Sequence, residues 1–211
     1  MYIPSQFKED RTEVLHQAIA QAGAATIISM TSDGLYASHA PLFLDPDPAP
    51  CGTVVGHLAK ANPHNRILVP GTETLVIFHG PGGYITPSYY PTKREHGKVV
   101  PTWNYSAIHA YGTLEVFTDP DRLLGVVTRL TNMYEAPRGA PWAVTDAPAD
   151  FVQGMLKAIY GISLRITRLE GKVKMSQNRP EPDQQGVVKG LTEDGQDALA
   201  RAVTQALGNR P

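Results

Sequence analysis

The sequence of 211 residues has a single cysteine, Cys51, no long apolar run and almost no excess of charge. One thiol cannot form an intramolecular disulfide, which favours a reducing, cytoplasmic setting. Because no run of about eighteen apolar residues is present, we expect no membrane partner. A formal net charge of −1 gives no overall attraction to nucleic acid, so a dedicated DNA-binding domain is not expected.

Several signatures of common chemistry are missing as well. The patterns GxSxG, GxGxxG and the P-loop do not occur, so nothing predicts a serine hydrolase or a classical nucleotide site. The seven histidines are scattered without an HExxH pair or a cysteine partner, and they predict no structural metal. A single axial histidine has no spacing signature, which leaves a haem-binding protein as an alternative.

The hydrophobic pattern predicts a mainly β fold with peripheral helices (α+β). Helical spacing or capping signals mark 9–22, 119–134, 148–158 and 192–208. Strand patterns cover 24–31, 35–44, 53–58, 74–79, 83–86, 103–117 and 161–175. Since regular strand–helix alternation is absent, we expect an antiparallel barrel or sandwich. A turn at 32–34 predicts a hairpin, and Pro41 within it indicates an edge position or a bulge.

The stretch VPTWNY at 100–105 places one of the two tryptophans beside an amide and a phenol. The loop before it carries the basic side chains Lys93, Arg94, His96 and Lys98. Two interpretations are open. Trp103 could plug a core, or the stretch could offer a stacking face and edge partners to a flat, anionic ligand.

A second candidate is GHLAKANPHN at 56–65. Asn62 followed by proline predicts the start of a helix, whose free N–H groups suit a phosphate. His57 and Lys60 would add donors at the same place. Ordinary helix capping with a solvated lysine explains these residues equally simply.

A third candidate is GKVKMSQNRP at 171–180. On a strand, Lys172, Lys174 and Ser176 share one face and could meet a phosphate. The amides at 177–178 could bind the edge of a ring. A solvated strand end is the alternative.

Six segments together resemble the FMN-binding negative transcriptional regulator family, the PaiB-like proteins. They are MYIPSQF, ASHAPLFL, GHLAKANP, LVIFHGPGGYITPSYYPTK, VVPTWNY and KVKMSQNR, and they occur in the same order over roughly residues 1–191. The resemblance implies one flavin-reductase-like split β-barrel domain over residues 1–211, with an N-terminal and a C-terminal helix. It also implies a homodimer with FMN at the subunit interface.

The resemblance further implies which side chains contact FMN. The isoalloxazine neighbourhood carries over to Ser38, His39, Trp103, Asn104 and Tyr105. The phosphate neighbourhood carries over to His57, Lys60 and Asn62. Lys174, Gln177 and Asn178 join the site, with the partner subunit as an alternative source.

The implied function is an FMN-binding negative transcriptional regulator. Helices 9–22 and 192–208 carry too few cations to read a major groove, so repression would act through a partner protein or a basic surface of the dimer. The alternatives are an FMN-dependent oxidoreductase, in which His39 and His109 are the candidate acid–base residues, and a haem-binding or haem-degrading barrel.

Overall fold

The computed structural model describes residues 1–208, which form eight strands and seven α-helices. The strands are β1 (Lys8–Glu9), β2 (Ala24–Thr31), β3 (Gly34–Asp45), β4 (Thr53–Ala59), β5 (Glu73–Ile85), β6 (Thr102–Phe117), β7 (Ile159–Arg165) and β8 (Arg168–Lys174). The helices are α1 (Thr12–Gln21), α2 (His64–Ile67), α3 (Thr92–His96), α4 (Pro120–Glu135), α5 (Ala149–Leu156), α6 (Glu181–Glu193) and α7 (Asp197–Gly208). Short 3-10 helices cover Ser5–Phe7, Pro87–Tyr89 and Val144–Asp146.

Elements with clear local signals form where the sequence predicts them. The predicted hairpin is confirmed, because β2 and β3 pair antiparallel from Ala24↔Pro41 to Thr31↔Gly34. Asp119 caps α4, its Oδ1 accepting a hydrogen bond of 2.8 Å from the backbone N–H of Arg122. Pro120 is the first residue of that helix, as the missing N–H of proline favours.

Pro41 does not lie on an edge strand, contrary to one of the two expectations. Up to Pro41 the strand β3 pairs with β2, and from Leu42 onwards it pairs with β4. Proline therefore occupies the point at which β3 changes partner, where a missing backbone donor costs little.

The two strands predicted at 74–79 and 83–86 are one strand, β5. The intervening Gly-Pro-Gly-Gly suggests a break, but the chain stays extended through it. A Cβ on Gly80 would lie 2.1 Å from Ser106 Oγ. Close approach of a neighbouring side chain, not a turn, therefore requires glycine there.

The single strand predicted at 161–175 is two strands, β7 and β8. Between them, the N–H of Ile166 donates to Gly52 O and the N–H of Thr167 donates to Tyr111 O. These two hydrogen bonds go to different parts of the chain, so the regular pairing of β7 ends here. The alternation of apolar residues in the sequence nevertheless continues.

The terminal helix predicted at 192–208 is preceded by a helix that the sequence pattern missed. Thr192 is not a cap, because it lies inside α6 and its Oγ1 donates to Val188 O. Gly195, with a φ of +71°, follows α6, and α7 begins at Asp197. Two glycines within α6 weaken the helical signal of its sequence.

Residue contacts divide the chain into two compact units. The larger unit comprises Thr12–Phe78 and His109–Leu169. The smaller unit comprises Met1–Arg11, His79–Ile108 and the chain from Glu170 onwards.

Antiparallel strands dominate the larger unit. Neighbours follow the order β5-β2-β3-β4-β7, and β6 is a hydrogen-bonded neighbour of both β7 and β5. Helices α4 and α5 cover one cluster of apolar side chains, namely Phe43, Phe117, Leu123, Val126, Leu130 and Leu156. A Cβ on Gly161 would lie 2.2 Å from the ring of Phe117, so that ring packs directly on the backbone of β7.

The smaller unit has its own core under α6 and α7. Its buried side chains are Ile85, Tyr90, Met175, Val187, Leu191, Leu199, Ala200 and Val203. Strand β1 pairs antiparallel with β8 through Lys8↔Lys172 and Glu9↔Gly171. Tyr89 packs on α6, where a Cβ on Gly190 would lie 2.2 Å from its ring.

Candidate functional site

Trp103 does not plug a core. It is the second residue of β6 and its surface is 56% exposed. The next residue, Asn104, is fully buried, and Tyr105 is half-buried. Alternation along the strand therefore points the indole away from the core, so the interpretation that Trp103 plugs a core is wrong.

Gly82 provides space beside that tryptophan. A Cβ at this position would lie 3.2 Å from Asn104 O, 3.3 Å from Tyr105 Cβ and 3.4 Å from Trp103 Nε1. Any other residue would crowd the same face of the strand pair. The missing side chain keeps the flank of the indole open, as a flat ligand requires.

Asn104 holds an unused acceptor inside the smaller unit. Its Nδ2 donates to Ser176 Oγ at 2.9 Å, whereas its buried Oδ1 has no hydrogen-bond partner among residues 1–208. Ser176 has a φ of +67°, an unusual backbone for a residue other than glycine. A buried, unpaired acceptor costs free energy, and this one lies on the face of β6 opposite to the exposed indole of Trp103.

The residues predicted after β8 take separate roles. Lys174 Nζ donates to Thr102 Oγ1 at 2.6 Å, next to Trp103. Gln177 bonds its own segment, with Nε2 donating to Val173 O and Oε1 accepting from Met175 N, both at 2.6 Å. Asn178 is exposed. Gln177 therefore shapes the segment, and Lys174 and Asn178 present polar groups.

Lys172 is a further basic residue of this unit and is largely buried. Its Nζ donates to Tyr2 O at 3.1 Å and lies 5.1 Å from the centroid of the Tyr105 ring. The ammonium group of Lys172 therefore makes a cation–π contact with the ring of Tyr105. The alternation of lysines in the sequence indicated a shared face but not this burial.

In the larger unit, Ser38 and Asn62 meet around a histidine that sequence reasoning missed. Asn62 Nδ2 donates to Ser38 Oγ at 2.9 Å, and Ser38 Oγ lies 2.9 Å from His64 Nδ1. Asn62 Oδ1 accepts from the N–H of His64 at 3.0 Å. Both ends of the amide are therefore used within the protein, just before the four-residue helix α2, whose N-cap is Pro63.

His64 is fully buried and its ring packs edge-on against Tyr36. In the part of the chain that the structure describes, its Nε2 has no hydrogen-bond partner. Burial lowers the pKa of His64 and favours the neutral ring. The segment NPHN, which follows a strand, was the available signal in the sequence. Nothing in that segment indicated that the side chain of His64 is buried.

The remaining predicted residues of the larger unit differ in exposure. His39 is exposed and its Nδ1 lies 3.0 Å from Thr26 Oγ1. His57 is half-buried, its Nδ1 has no hydrogen-bond partner within the described residues, and burial lowers its pKa. Lys60 is exposed. Lys60 is therefore the clearest cation among the three residues predicted to hold a phosphate.

The residues of the smaller unit fit the flavin that the resemblance implies. Trp103 offers an exposed ring face, and Gly82 leaves its flank open. Flavin rings carry both N–H and carbonyl groups, which match amide side chains. Within residues 1–208, no group of three or more His, Cys, Asp or Glu side chains could hold a metal ion.

No helix within residues 1–208 is both long enough and apolar enough to cross a membrane.

Comparison with known proteins gives a consistent result. A family model described as "Putative FMN-binding domain" matches residues 1–168. An uncharacterized protein of Emericella nidulans is 33% identical over 94% of this chain and 93% of its own. The Bacillus subtilis protein "Protease synthase and sporulation protein PAI 2" is 31% identical over 90% of this chain and 89% of its own.

A solved structure has the same fold. The "FAD and Heme binding protein from Mycobacterium smegmatis" superposes with a TM-score of 0.60 at 18% identity, covering 87% of this chain and 80% of that one. The predicted fold class, a mainly antiparallel sheet of the split-barrel type with peripheral helices, is confirmed.

Proposed function

Since the chain belongs to the FMN-binding domain family that its residues 1–168 match, we propose that it binds FMN with the isoalloxazine ring against Trp103. The observation that carries this assignment is the exposure of Trp103 on a regular strand, beside the space that Gly82 leaves. An aromatic ring held this way is a stacking surface for a planar ligand.

Bound FMN would supply reversible uptake of electrons and hydride, which no amino-acid side chain offers. The chain's own residues bind and orient the ring. Trp103 contacts its face with the exposed side of the indole. Lys174, beside Thr102, adds positive charge near the ring edge.

The regulatory part of the proposal is an FMN-binding negative regulator that acts as a homodimer, with flavin sites that draw on both subunits. The similarity to the PAI 2 protein over 90% of this chain supports a role of this kind. The net charge of −1 disfavours unaided binding to DNA. We therefore propose that repression acts through a partner protein or a local basic surface.

Fluorescence titration tests the flavin part directly. FMN is added to the purified protein, and tryptophan emission and flavin emission are followed together. We expect saturable quenching of both at micromolar or tighter FMN. Absence of saturation at high FMN would remove the proposed function and would make the haem alternative the next to test, by its Soret absorbance.

Two assays on the FMN-loaded protein test the regulatory part. Sedimentation velocity should give a dimer, and an operator-shift assay should give a complex only with the partner or at low salt. Rapid consumption of NADH or NADPH with no shift of any promoter fragment would favour the oxidoreductase alternative instead.

A further inference from the structure

Helix α4 carries an open groove along its outer face. The groove has a volume of about 680 Å³, and all of the residues that line it belong to α4, from Asp121 to Met133. The opposite face of the helix is buried through Leu123, Val126 and Leu130. The groove therefore lies on the side of α4 that faces away from the core of the larger unit.

Gly125 lies in this groove, in the interior of the helix. Glycine destabilises a helix interior relative to alanine, so a contact within the chain often explains it, as the ring of Tyr89 does for Gly190 in α6. A Cβ on Gly125 would meet no atom of the described chain within 4 Å. An exposed glycine of this kind lets the backbone of a second helix approach closely.

Two opposite charges flank Gly125 at equal distances along the helix. Asp121 lies four residues before it and Arg129 four residues after it, so both are one turn away on the same side. Both side chains are exposed and line the groove. Within residues 1–208, Asp121 forms no ion pair.

The guanidinium group of Arg129 is held in position by strand β3. Its Nη1 lies 3.3 Å from Asp45 Oδ2, and its Nη2 donates to Leu44 O at 3.1 Å. The group also lies 4.2 Å from the centroid of the Phe43 ring. Because arginine has five N–H donors, donors of Arg129 remain for a second carboxylate, and little side-chain freedom is lost when one binds.

The spacing of these charges is self-complementary under a two-fold axis. Where two antiparallel copies of α4 cross at Gly125, the residue four positions before the glycine in one copy lies opposite the residue four positions after it in the other. Asp121 of each copy then faces Arg129 of the other, so the pair forms twice. Arg122 lies opposite Thr128, so no like charges meet.

We propose that the outer face of α4 binds a second copy of this chain, through an antiparallel pair of α4 helices that cross at Gly125. The inference is independent of the proposed function, because none of the contact residues is assigned to FMN. Residues 121–133 span about 18 Å along a helix. Since a contact of that length buries less than the roughly 800 Å² per partner of a standard interface, the association is weak and reversible.

Charge reversal on each side of the contact provides the first test. Sedimentation velocity is measured from about 1 μM to 1 mM, a range that covers weak association, for the wild type, D121K, R129E and an equimolar mixture of the two variants. The wild type should show a concentration-dependent association step. Each variant alone should lose it, because like charges then face each other at both contacts.

The mixture of D121K and R129E should regain the association step. In a pair formed by one copy of each variant, every reversed charge faces an opposite one. Recovery in the mixture also shows that both variants are folded. The homodimer proposed above for flavin binding is a separate association step, and neither substitution should affect it.

Substitution at Gly125 tests the close approach of the two helices. Glutamine favours a helix more than glycine does, so G125Q should raise Tm while it weakens association at least about tenfold, because its side chain keeps the helices apart. G154Q is the matched control, since a Cβ on Gly154 in α5 also meets no atom of the described residues within 4 Å. G154Q should raise Tm and leave association unchanged.

Three results would overturn the inference. The first is an association behaviour that is the same in the wild type, D121K and R129E. The second is loss of association in both variants without recovery in their mixture, which would contradict the antiparallel pairing. The third is a wild type without any step that these substitutions remove, as expected if a different protein covers α4. None of the three bears on FMN binding, which the fluorescence titration tests separately.

Discussion

At the residue scale, Trp103 has the largest predicted effect on binding. Replacing it in W103L removes the stacking face and leaves an apolar side chain on an exposed strand. Stacking of an aromatic ring on a base contributes about 1–3 kcal/mol, so we expect the Kd for FMN to rise roughly 5- to 150-fold. Isothermal titration calorimetry measures the change.

The second tryptophan provides a matched control. Trp142 is also exposed, at 46%, and lies in the larger unit outside the predicted site residues. W142L should bind FMN as the wild type does. Equal losses in W103L and W142L would show that the effect is not local to β6.

Two histidines whose pKa is lowered by burial predict that the free energy of unfolding depends on pH. Burial lowers the pKa of both His57 and His64, so below the ordinary value of about 6.5 the unfolded chain binds more protons than the folded one. The free energy of unfolding should therefore be full above pH 6.5 and fall as the pH drops below it. Each histidine contributes a slope of at most about 1.4 kcal/mol per pH unit.

Urea unfolding from pH 7.5 to 5 tests this dependence in H64N, whose amide can replace His64 Nδ1 towards Ser38. We expect a shallower acid slope in H64N than in the wild type. His79 is exposed, so H79N should keep the wild-type slope. Parallel acid slopes in H64N and the wild type would contradict the assignment.

The sequence indicated which side chains could carry chemistry, but it indicated their burial and their contacts less well. VPTWNY left open whether Trp103 plugs a core or faces a ligand, and its exposure excludes only the first. The inward turn of His64 and the use of Gln177 within its own segment depend on contacts between segments distant in the chain or on a left-handed residue. Such contacts leave no periodic signal in one sequence.

At the element scale, the cap of α4 gives a stability prediction. Asp119 Oδ1 accepts from the N–H of Arg122, and D119A leaves that N–H without its partner. Loss of such a cap typically costs about 1 kcal/mol. The urea midpoint should fall accordingly, at unchanged m-value.

Asp150 provides the comparison for that variant. It is exposed, lies in the first turn of α5 and is not a cap residue. D150A should lose less stability than D119A, because only a weak interaction with the helix dipole is removed. A larger loss in D150A would show that capping by Asp119 is not the main term.

Element boundaries were predictable where the signal is local. The Asp-Pro start of α4 and the hairpin of β2 and β3 follow directly from capping and turn chemistry. Glycine is required at position 80 because a side chain there would overlap Ser106 on a neighbouring strand. The local sequence does not show that requirement, so the continuity of β5 was not predictable. Helix α6 was missed for a similar reason, since Gly190 accommodates Tyr89.

At the scale of the whole molecule, FMN should stabilise the folded chain by mass action. At one hundred times the Kd, a ligand that binds only the folded state adds about 2.7 kcal/mol. For a chain of this size, each kcal/mol raises Tm by about 2–4 °C, so we expect a rise of roughly 5–11 °C. Differential scanning fluorimetry or calorimetry measures it.

The same FMN concentration should raise the Tm of W103L by less, because its Kd is higher. Riboflavin at equal concentration should also give a smaller rise in the wild type, because it lacks the phosphate with which FMN can make charge-assisted hydrogen bonds. A rise of equal size with riboflavin would show that ring contacts alone carry the affinity.

The packing of Phe117 on Gly161 has a consequence for the history of the family. Because a Cβ on Gly161 would overlap the phenyl ring, neither position can change freely while the other is kept. During evolution, the residues at these two positions should therefore change together. Homologues that carry a larger residue at the position of Gly161 should carry a smaller one at that of Phe117, and the two substitutions should covary across lineages.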